Sequence, residues 1–325
     1  MFVTGGTGFV GSEVIKRCVK AGHEVRCLAR PVSITSALEE LGVEIVRGDI
    51  LSKPSLIKGM TGCDVVIHAA AAYSFWTANR DEYREVNVGG TRNVMESALQ
   101  AGVFKVIHVS SVVVYGKPPI SPVTEYTPFS RFHASEYART KCEGEGIAWN
   151  LHRSKALPLV VVYPGAIIGP GDPKATGQYI QNLIHRRLPA TILDNASFPF
   201  IHVSDVAEAI TRAAAMPRNQ GARYLLVSEN LTFGQLNTMI SEISDVPLPA
   251  LHLPDAVTFT LAGLLTGLSR FTGRPPGWGL SLDQVRTMKN TPLVDGSRAE
   301  RELGLKYIPI RQAIADAIAS YRHHR

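Results

Sequence analysis

Tyr137 and Lys141 stand four residues apart in Tyr137-Ala138-Arg139-Thr140-Lys141, within a stretch of helical character. That spacing puts both on one helix face. A phenol, which ordinarily titrates near a pH of about 10, is a poor proton carrier at neutral pH. A neighbouring ammonium and an oxidised nicotinamide ring both favour the phenolate. Tuned in that way, one hydroxyl gives or takes the proton that accompanies hydride transfer at a carbon–oxygen centre. In a chain with ten tyrosines such a pair needs context. Ser110 and Ser111 supply it, because they follow the apolar run that ends at Val109. The carboxyl end of a parallel strand is where such sheets bind ligands. Ser111 is suited to hold a substrate oxygen while Tyr137 protonates it; Ser110 reads more simply as a cap on the next segment.

A second constellation opens the chain. Thr4-Gly5-Gly6-Thr7-Gly8-Phe9-Val10-Gly11 follows a very short strand and starts an amphipathic helix. Glycines there permit a tight turn and let the backbone approach a pyrophosphate, which the amides of the helix start then hold. The loop fits two templates, Gly6-x-Gly8-x-x-Gly11 and Gly5-x-x-Gly8-x-x-Gly11, and does not choose between them. A dinucleotide site specific for NAD expects an acid about 20 residues on. The second strand instead ends Leu28-Ala29-Arg30-Pro31, without one. Arg30 is placed to pair with a 2′-phosphate, which favours NADP(H) and leaves NAD(H) as the alternative.

These residues need a scaffold, and the first 165 residues provide its rhythm. Val25–Leu28, Val43–Val46, Val65–His68, Val106–Val109 and Leu159–Val162 are short runs rich in Val and Ile. Amphipathic stretches such as Ser12–Ala21 and Tyr83–Ala101 separate them. Alternation of this kind predicts an α/β fold, a Rossmann-type doubly wound parallel sheet. After Pro164 the rhythm breaks into Pro and Gly clusters. The pattern there predicts a helix at Gln178–Arg186, a strand pair at Ala190–Leu193 and Phe198–His202, a helix at Val203–Ala215 and a strand at Tyr224–Ser228. Loop and apolar helix mix from Pro247 to Trp278, and Ile310, Ala313, Ile314, Ala317, Ile318 and Tyr321 mark a terminal amphipathic helix. The chain thus predicts a smaller, mostly helical C-terminal lobe beside the sheet.

Bulk properties narrow the classes. The net charge is +6, but lysines and arginines are scattered and no run reaches five. The one local cluster, Arg322-His323-His324-Arg325, reads as a solvated end, so nucleic acid is not an expected partner. Cys18, Cys27, Cys63 and Cys142 form no Cys-x-x-Cys pair and have no metal-like His spacing. They read as free thiols of a reducing compartment, which points to the cytoplasm and to no metal. The longest apolar stretch, Ala256 to Leu268, is too short to span a bilayer. It reads as a buried or lid helix, with an interfacial helix as the minor alternative.

Taken together, these motifs resemble the extended short-chain dehydrogenases/reductases of the NAD-dependent epimerase/dehydratase superfamily. Further segments carry the resemblance: Gly48-Asp49-Ile50, His68-Ala69-Ala70-Ala71, Asn87-Val88-Gly89-Gly90-Thr91, Tyr163-Pro164-Gly165 and Phe200-Ile201-His202-Val203-Ser204-Asp205-Val206-Ala207. Singly each has a bland reading: Asp49 starting a turn, His68 satisfied in a core, Asn87 capping a helix. The resemblance implies that Ser111, Tyr137 and Lys141 are catalytic and that Asn87 supports their helix. It implies that the cofactor is held by Thr4, Gly5, Thr7, Gly8, Phe9, Val10 and Gly11. Asp49 with Ile50 would take adenine, and Arg30 the ribose end. His68, Ala69, Ala70, Ser110, Tyr163, Pro164 and Gly165 would line the cofactor, with Tyr137 and Lys141 touching it too. Residues 1–163 with about 200–228 would form the NAD(P) domain, and about 164–199 with 229–325 the substrate lobe.

Two enzyme readings follow. A reductase would pass hydride from NADPH to a ketone or aldehyde of a small molecule. A sugar-nucleotide epimerase or dehydratase would keep NAD bound. Sugar-nucleotide members of the family often carry an Arg two before the aromatic of the return segment, and here that place is Phe198. Arg186, Arg187 or Arg274 would have to substitute. Tyr73, Phe75 and Trp76 would add aromatic walls beside Phe198. The chain is most similar to dihydroflavonol-reductase-like and 3β-hydroxysteroid-dehydrogenase-like members, including bacterial relatives named hopanoid-associated sugar epimerases. The reductase reading is favoured. An idle NADP(H)-binding regulator is a third reading, disfavoured because Ser, Tyr and Lys all remain. Relatives often form homodimers through the helices flanking the Tyr–Lys segment.

Overall fold

The computed structural model describes residues 1–118 and 120–323. His324 and Arg325 of the basic tail lie outside the described residues. In chain order the strands are β1 (Phe2–Thr4), β2 (Arg26–Ala29), β3 (Glu44–Arg47), β4 (Val65–His68), β5 (Lys105–Val109), β6 (Leu159–Pro164), β7 (Ala166–Ile168), β8 (Thr191–Ile192), β9 (Ser197–His202), β10 (Arg223–Leu226), β11 (Glu229–Thr232) and β12 (His252–Leu253). The helices are α1 (Phe9–Lys20), α2 (Ser36–Glu39), α3 (Lys53–Met60), α4 (Asp81–Arg84), α5 (Thr91–Ala101), α6 (Glu136–Lys155), α7 (Ala175–Ile184), α8 (Val203–Ala215), α9 (Phe233–Ser244), α10 (Asp255–Thr272), α11 (Leu282–Asn290), α12 (Ser297–Leu303) and α13 (Ile310–His323).

Seven strands form one parallel sheet in the order β3-β2-β1-β4-β5-β6-β10. The order reverses between β1 and β4, and a sheet of this type opens its ligand crevice at such a point. Register puts Thr4 beside His68 and Val109 beside Val162, so the functional loops leave one edge together. Both faces are covered. Val94, Met95, Ala148 and Trp149 of α5 and α6 close one, while Val14, Ile15, Val206, Ile210, Ala299 and Leu303 of α1, α8 and α12 close the other. A third apolar cluster joins α7, α9, α11 and α13 to β9, forming the smaller, mostly helical C-terminal part.

Three local expectations change. The helix expected from Gln178 begins at Ala175, because the Asp172 carboxylate accepts from the amides of Lys174 and Gly177 and fixes the first turn. It ends before Arg186, which is left-handed at φ +54°. The expected strand pair does not form: β8 pairs with β12, whereas β9 lies between β7 and β11. A tight turn, with the Ala196 amide on the Leu193 carbonyl at 2.8 Å, leaves β8 only two residues and turns it away. From Pro247 to Trp278 the mixture resolves into the 18-residue α10. No helix of the described residues is long and apolar enough to cross a membrane.

Candidate active site

A cleft of about 1050 Å³ runs along the carboxyl edge of the sheet. One end is the glycine loop. Gly5 has φ +76°, and a Cβ on it would meet the Ala70 amide nitrogen at 2.6 Å; one on Gly11 would meet the Gly5 carbonyl oxygen at 2.1 Å. The backbone therefore closes on itself only without side chains there. Gly8 starts α1 without a side-chain cap, and no acid sits in the first turn. The amides at this helix start lack intrahelical partners and face the cleft with the positive end of the dipole. Thr7, Phe9 and Val10 line the same wall.

Arg30 lines the cleft beyond β2, with Asp49 and Ile50 opposite. Arg47 organises its loop, donating to the carbonyls of Arg30 and Ser33 and to the Thr35 hydroxyl. No protein hydrogen bond or ion pair engages the Arg30 guanidinium among the described residues. An open glycine cradle and an uncapped helix start fit a dinucleotide pyrophosphate.

At the centre, Tyr137 and Lys141 leave the first two turns of α6. Ser135 caps this helix, accepting from the Ala138 amide at 3.3 Å. The Tyr137 phenol is hydrogen-bonded to the Ser111 hydroxyl. Its ring meets Tyr73 edge-on at 5.1 Å and Phe75 at 6.4 Å. Burial pushes the phenol well above its ordinary pKa, outweighing the Ser111 hydrogen bond. The ammonium expected to lower it is turned aside, since Lys141 Nζ donates to the Val109 carbonyl at 2.8 Å. Burial draws Lys141 down to about 8, partly offset by Glu145.

The capping role expected of Ser110 falls to Ser111, and Ser110 is drawn into a buried contact. Ser111 caps the turn Val112–Tyr115 by accepting from the Val113 amide, while the Ser110 hydroxyl donates to Glu145 at 2.6 Å. Both still line the cleft. Glu145 is fully buried and also accepts from Trp149 Nε1 at 3.0 Å and from the Tyr163 hydroxyl. Continuing the Tyr137–Lys141 spacing by four residues would have found it.

Asn87 sits in one turn of π-helix, Glu85–Gly90, fully buried behind the cleft wall. Its amide donates to the Ala72 carbonyl and the Thr140 hydroxyl, and its carbonyl accepts from the Ala72 amide. It thereby joins the loop after β4 to α6. Gly144 lets α6 lie close, because a Cβ there would meet the Asn87 carbonyl at 2.2 Å.

Three expected cofactor contacts turn away. Thr4 and His68 are buried behind the loop, sharing a 2.8 Å hydrogen bond; the other ring nitrogen of His68 meets the Thr91 hydroxyl at 3.1 Å. Burial holds His68 near a pKa of about 3, so it is a neutral, satisfied core histidine. The Tyr163 ring is buried under the sheet, for alternate strand residues face opposite ways. Its neighbours Pro164 and Gly165 do line the cleft, as do Ala69 and Ala70.

The far end of the cleft is aromatic. Tyr73, Phe75, Trp76 and Phe198 line it, with Phe200, Phe233 and Met288, which the sequence alone did not single out. Phe198 packs on Phe200 and Phe233 at about 6 Å. Lys174 is the one cation there among the described residues; Arg186, Arg187 and Arg274 do not line the cleft, and neither does any residue of α10. Ala256–Leu268, expected as a buried or lid helix, does not line the cleft, whereas Gln284, Thr287 and Met288 of α11 do.

Residues 1–226 match the model of the NAD dependent epimerase/dehydratase family. The chain is similar to sterol demethylase protein B of Methylococcus capsulatus, 33% identical over 98% of this chain and 97% of that one. It is also similar to a putative dihydroflavonol 4-reductase of Synechocystis, 31% identical over 99% and 94%. The crystal structure of a protein named gox2253 superposes with a TM-score of 0.86 at 34% identity, covering 99% and 98% of the two chains. With its seven-stranded parallel sheet and glycine loop, the chain belongs to the NAD dependent epimerase/dehydratase family of extended short-chain dehydrogenases/reductases, NAD(P)-dependent enzymes of small molecules.

Proposed function

We propose that the protein reduces a ketone or aldehyde on a fairly apolar small molecule with NADPH. The observation that carries this reading is the Tyr137 phenol, held protonated by burial at an aromatic end of the cleft. A protonated acid is the form a reduction consumes. The bound nicotinamide supplies hydride. Ser111 holds the carbonyl oxygen and Tyr137 gives it a proton, while Lys141, hydrogen-bonded to the Val109 carbonyl, ties α6 to the strand that leads to Ser111. Asn87 acts through Thr140 and Ala72 to position α6 and the aromatic loop, so its role is positioning. On the cofactor side, the amides opening α1 would hold the pyrophosphate, Arg30 would pair with the 2′-phosphate, and Asp49 with Ile50 would receive adenine.

The substrate class rests on what the far end lacks. A nucleotide diphosphate needs cations, and Phe198 stands where an arginine is common in sugar-nucleotide members. The relatives named for a sterol and for dihydroflavonol point the same way. A division of labour follows: residues 1–163 with about 200–228 form the dinucleotide-binding part, and about 164–199 with 229–325 form the substrate-binding part. Four free cysteines and the use of NADPH suit the cytoplasm.

A second reading, an NAD-dependent sugar-nucleotide epimerase or dehydratase, is favoured by Lys174, a cation facing the substrate end. Denaturing the purified protein and identifying what it releases separates the two. Exchangeable NADPH consumed against a panel of apolar ketones supports the reductase. Tightly held NAD without net consumption supports the epimerase.

A further inference from the structure

Helix α10 packs Phe259, Leu261 and Leu265 against the C-terminal apolar cluster, and it carries a second apolar face that looks outward. Its buried residues are Thr258, Ala262 and Ser269, whereas Val257, Leu264, Leu268 and Phe271 are exposed, Leu264 to 69% and Phe271 to 90%. These four positions are seven, four and three residues apart, which makes one stripe along the helix. Trp278 follows, more than half exposed and held at φ +54°. A helix that only packs on its own core turns such a stripe inward, and an outward stripe marks a contact surface.

Charge selects the occupant. Between Asp255, ion-paired to Lys289 at 2.7 Å, and Asp283 there is no acidic residue; residues 256–282 carry only Arg270 and Arg274, both exposed. An apolar stripe ending in Phe and Trp and flanked by arginines matches the boundary of an anionic bilayer. A second copy meeting this face about a twofold axis would bring the same two arginines to the shared patch with no acid to receive them. The surface also lies next to the cleft. The Leu282 amide at the start of α11 donates to the Thr266 hydroxyl of α10 at 2.9 Å, and Ser281 donates to the Phe75 carbonyl at 2.8 Å.

We propose that the outer face of α10, with Phe271 and Trp278, docks on anionic lipid bilayers and sets the substrate end of the cleft beside the membrane. This holds whichever cofactor and carbonyl the enzyme uses. The test is flotation of the full chain with phosphatidylcholine vesicles, with and without phosphatidylglycerol. The wild type should bind the anionic vesicles at least about tenfold more tightly. Leu264→Ser with Phe271→Ser should reduce that binding at least about tenfold. Arg270→Glu with Arg274→Glu should remove the preference for anionic lipid. NADPH binding, which these positions do not touch, should be unchanged and reports intact folding. Absence of vesicle binding by the wild type, or equal binding by the apolar variants, overturns the proposal. So does a dimer that the same substitutions dissociate without any vesicle binding, because a second copy would then cover the face.

Discussion

Lys141 donates from Nζ to the main-chain carbonyl of Val109 across 2.8 Å, and Ser111 lies two residues beyond that carbonyl. One hydrogen bond thus ties α6 to the end of β5 and sets the spacing between the Tyr137 phenol and the Ser111 hydroxyl. It also keeps the ammonium buried, where burial draws it down to about 8. Lys141 is charged below that value and neutral above it. Reduction should therefore be flat across the neutral range and fall as pH rises through about 8, with no acid limb from Tyr137, which stays protonated throughout. Lys141→Arg should move the alkaline limb upward in a profile of kcat/KM against pH. An unchanged limb would assign it to another group.

Tyr137→Phe keeps the ring that packs on Tyr73 and Phe75 and removes only the acid. Turnover should drop by about a thousandfold or more, while NADPH binding, followed by its fluorescence, stays within about twofold of the wild type. Turnover within a few fold of the wild type would exclude Tyr137 as the proton donor.

Arg30 offers a test of the proposed cofactor. Arg30→Asp should raise the KM for NADPH by about 10- to 100-fold, the worth of a charge-assisted pair. The KM for NADH should stay level or fall. An unchanged NADPH value would mean that the 2′-phosphate is held elsewhere or is absent.

The glycine loop gives a graded test. A methyl on Gly11 would meet the Gly5 carbonyl at 2.1 Å, whereas one on Gly8 would stand 3.2 Å from the same oxygen. Gly11→Ala should lower both the melting temperature and NADPH affinity, the latter at least about tenfold. Gly8→Ala should cost clearly less. Equal effects would mean that the loop tolerates the movement the close approach forbids.

Glu145 accepts from Ser110, Trp149 and Tyr163 with no exposure to solvent. Glu145→Gln replaces one acceptor oxygen by a donor, so one of these groups loses its partner. Stability should fall by about 1–3 kcal/mol in urea unfolding. A loss below about 0.5 kcal/mol would show that the network rearranges freely.

Much of the site was legible because it is local. The glycine loop and the Tyr137–Lys141 pair depend on residues within one or two turns, and their spacing is readable once the flanking strand and the Ser110-Ser111 segment give it context. Arg30 was legible as the end of a strand. What escaped depends on partners distant in sequence. His68 was expected against the cofactor, with a satisfied core histidine as the bland reading, and only β1, which sets Thr4 against it, and α5, which sets Thr91, decide for the second. Tyr163 faces the core because strand alternation, not proximity to Pro164, decides its side. Ser110 does not cap the next segment because Glu145 on α6 captures its hydroxyl, and the cap falls to Ser111. A period of two identified β8 and β9 as strands but carries no information about which strand pairs with which. The apolar run at Ala256–Leu268 was read as a buried or lid helix; Phe259, Leu261 and Leu265 do pack inward, and only tertiary packing shows Val257, Leu264 and Leu268 turned outward.

The most direct measurement uses NADPH carrying deuterium at C4 of the nicotinamide, with an apolar ketone from the panel and with Tyr137→Phe as control. The account predicts an alcohol carrying one deuterium on the new carbinol carbon, an equal amount of NADP released, and neither product from the variant. A deuterium-free product formed with no net change in cofactor would contradict it.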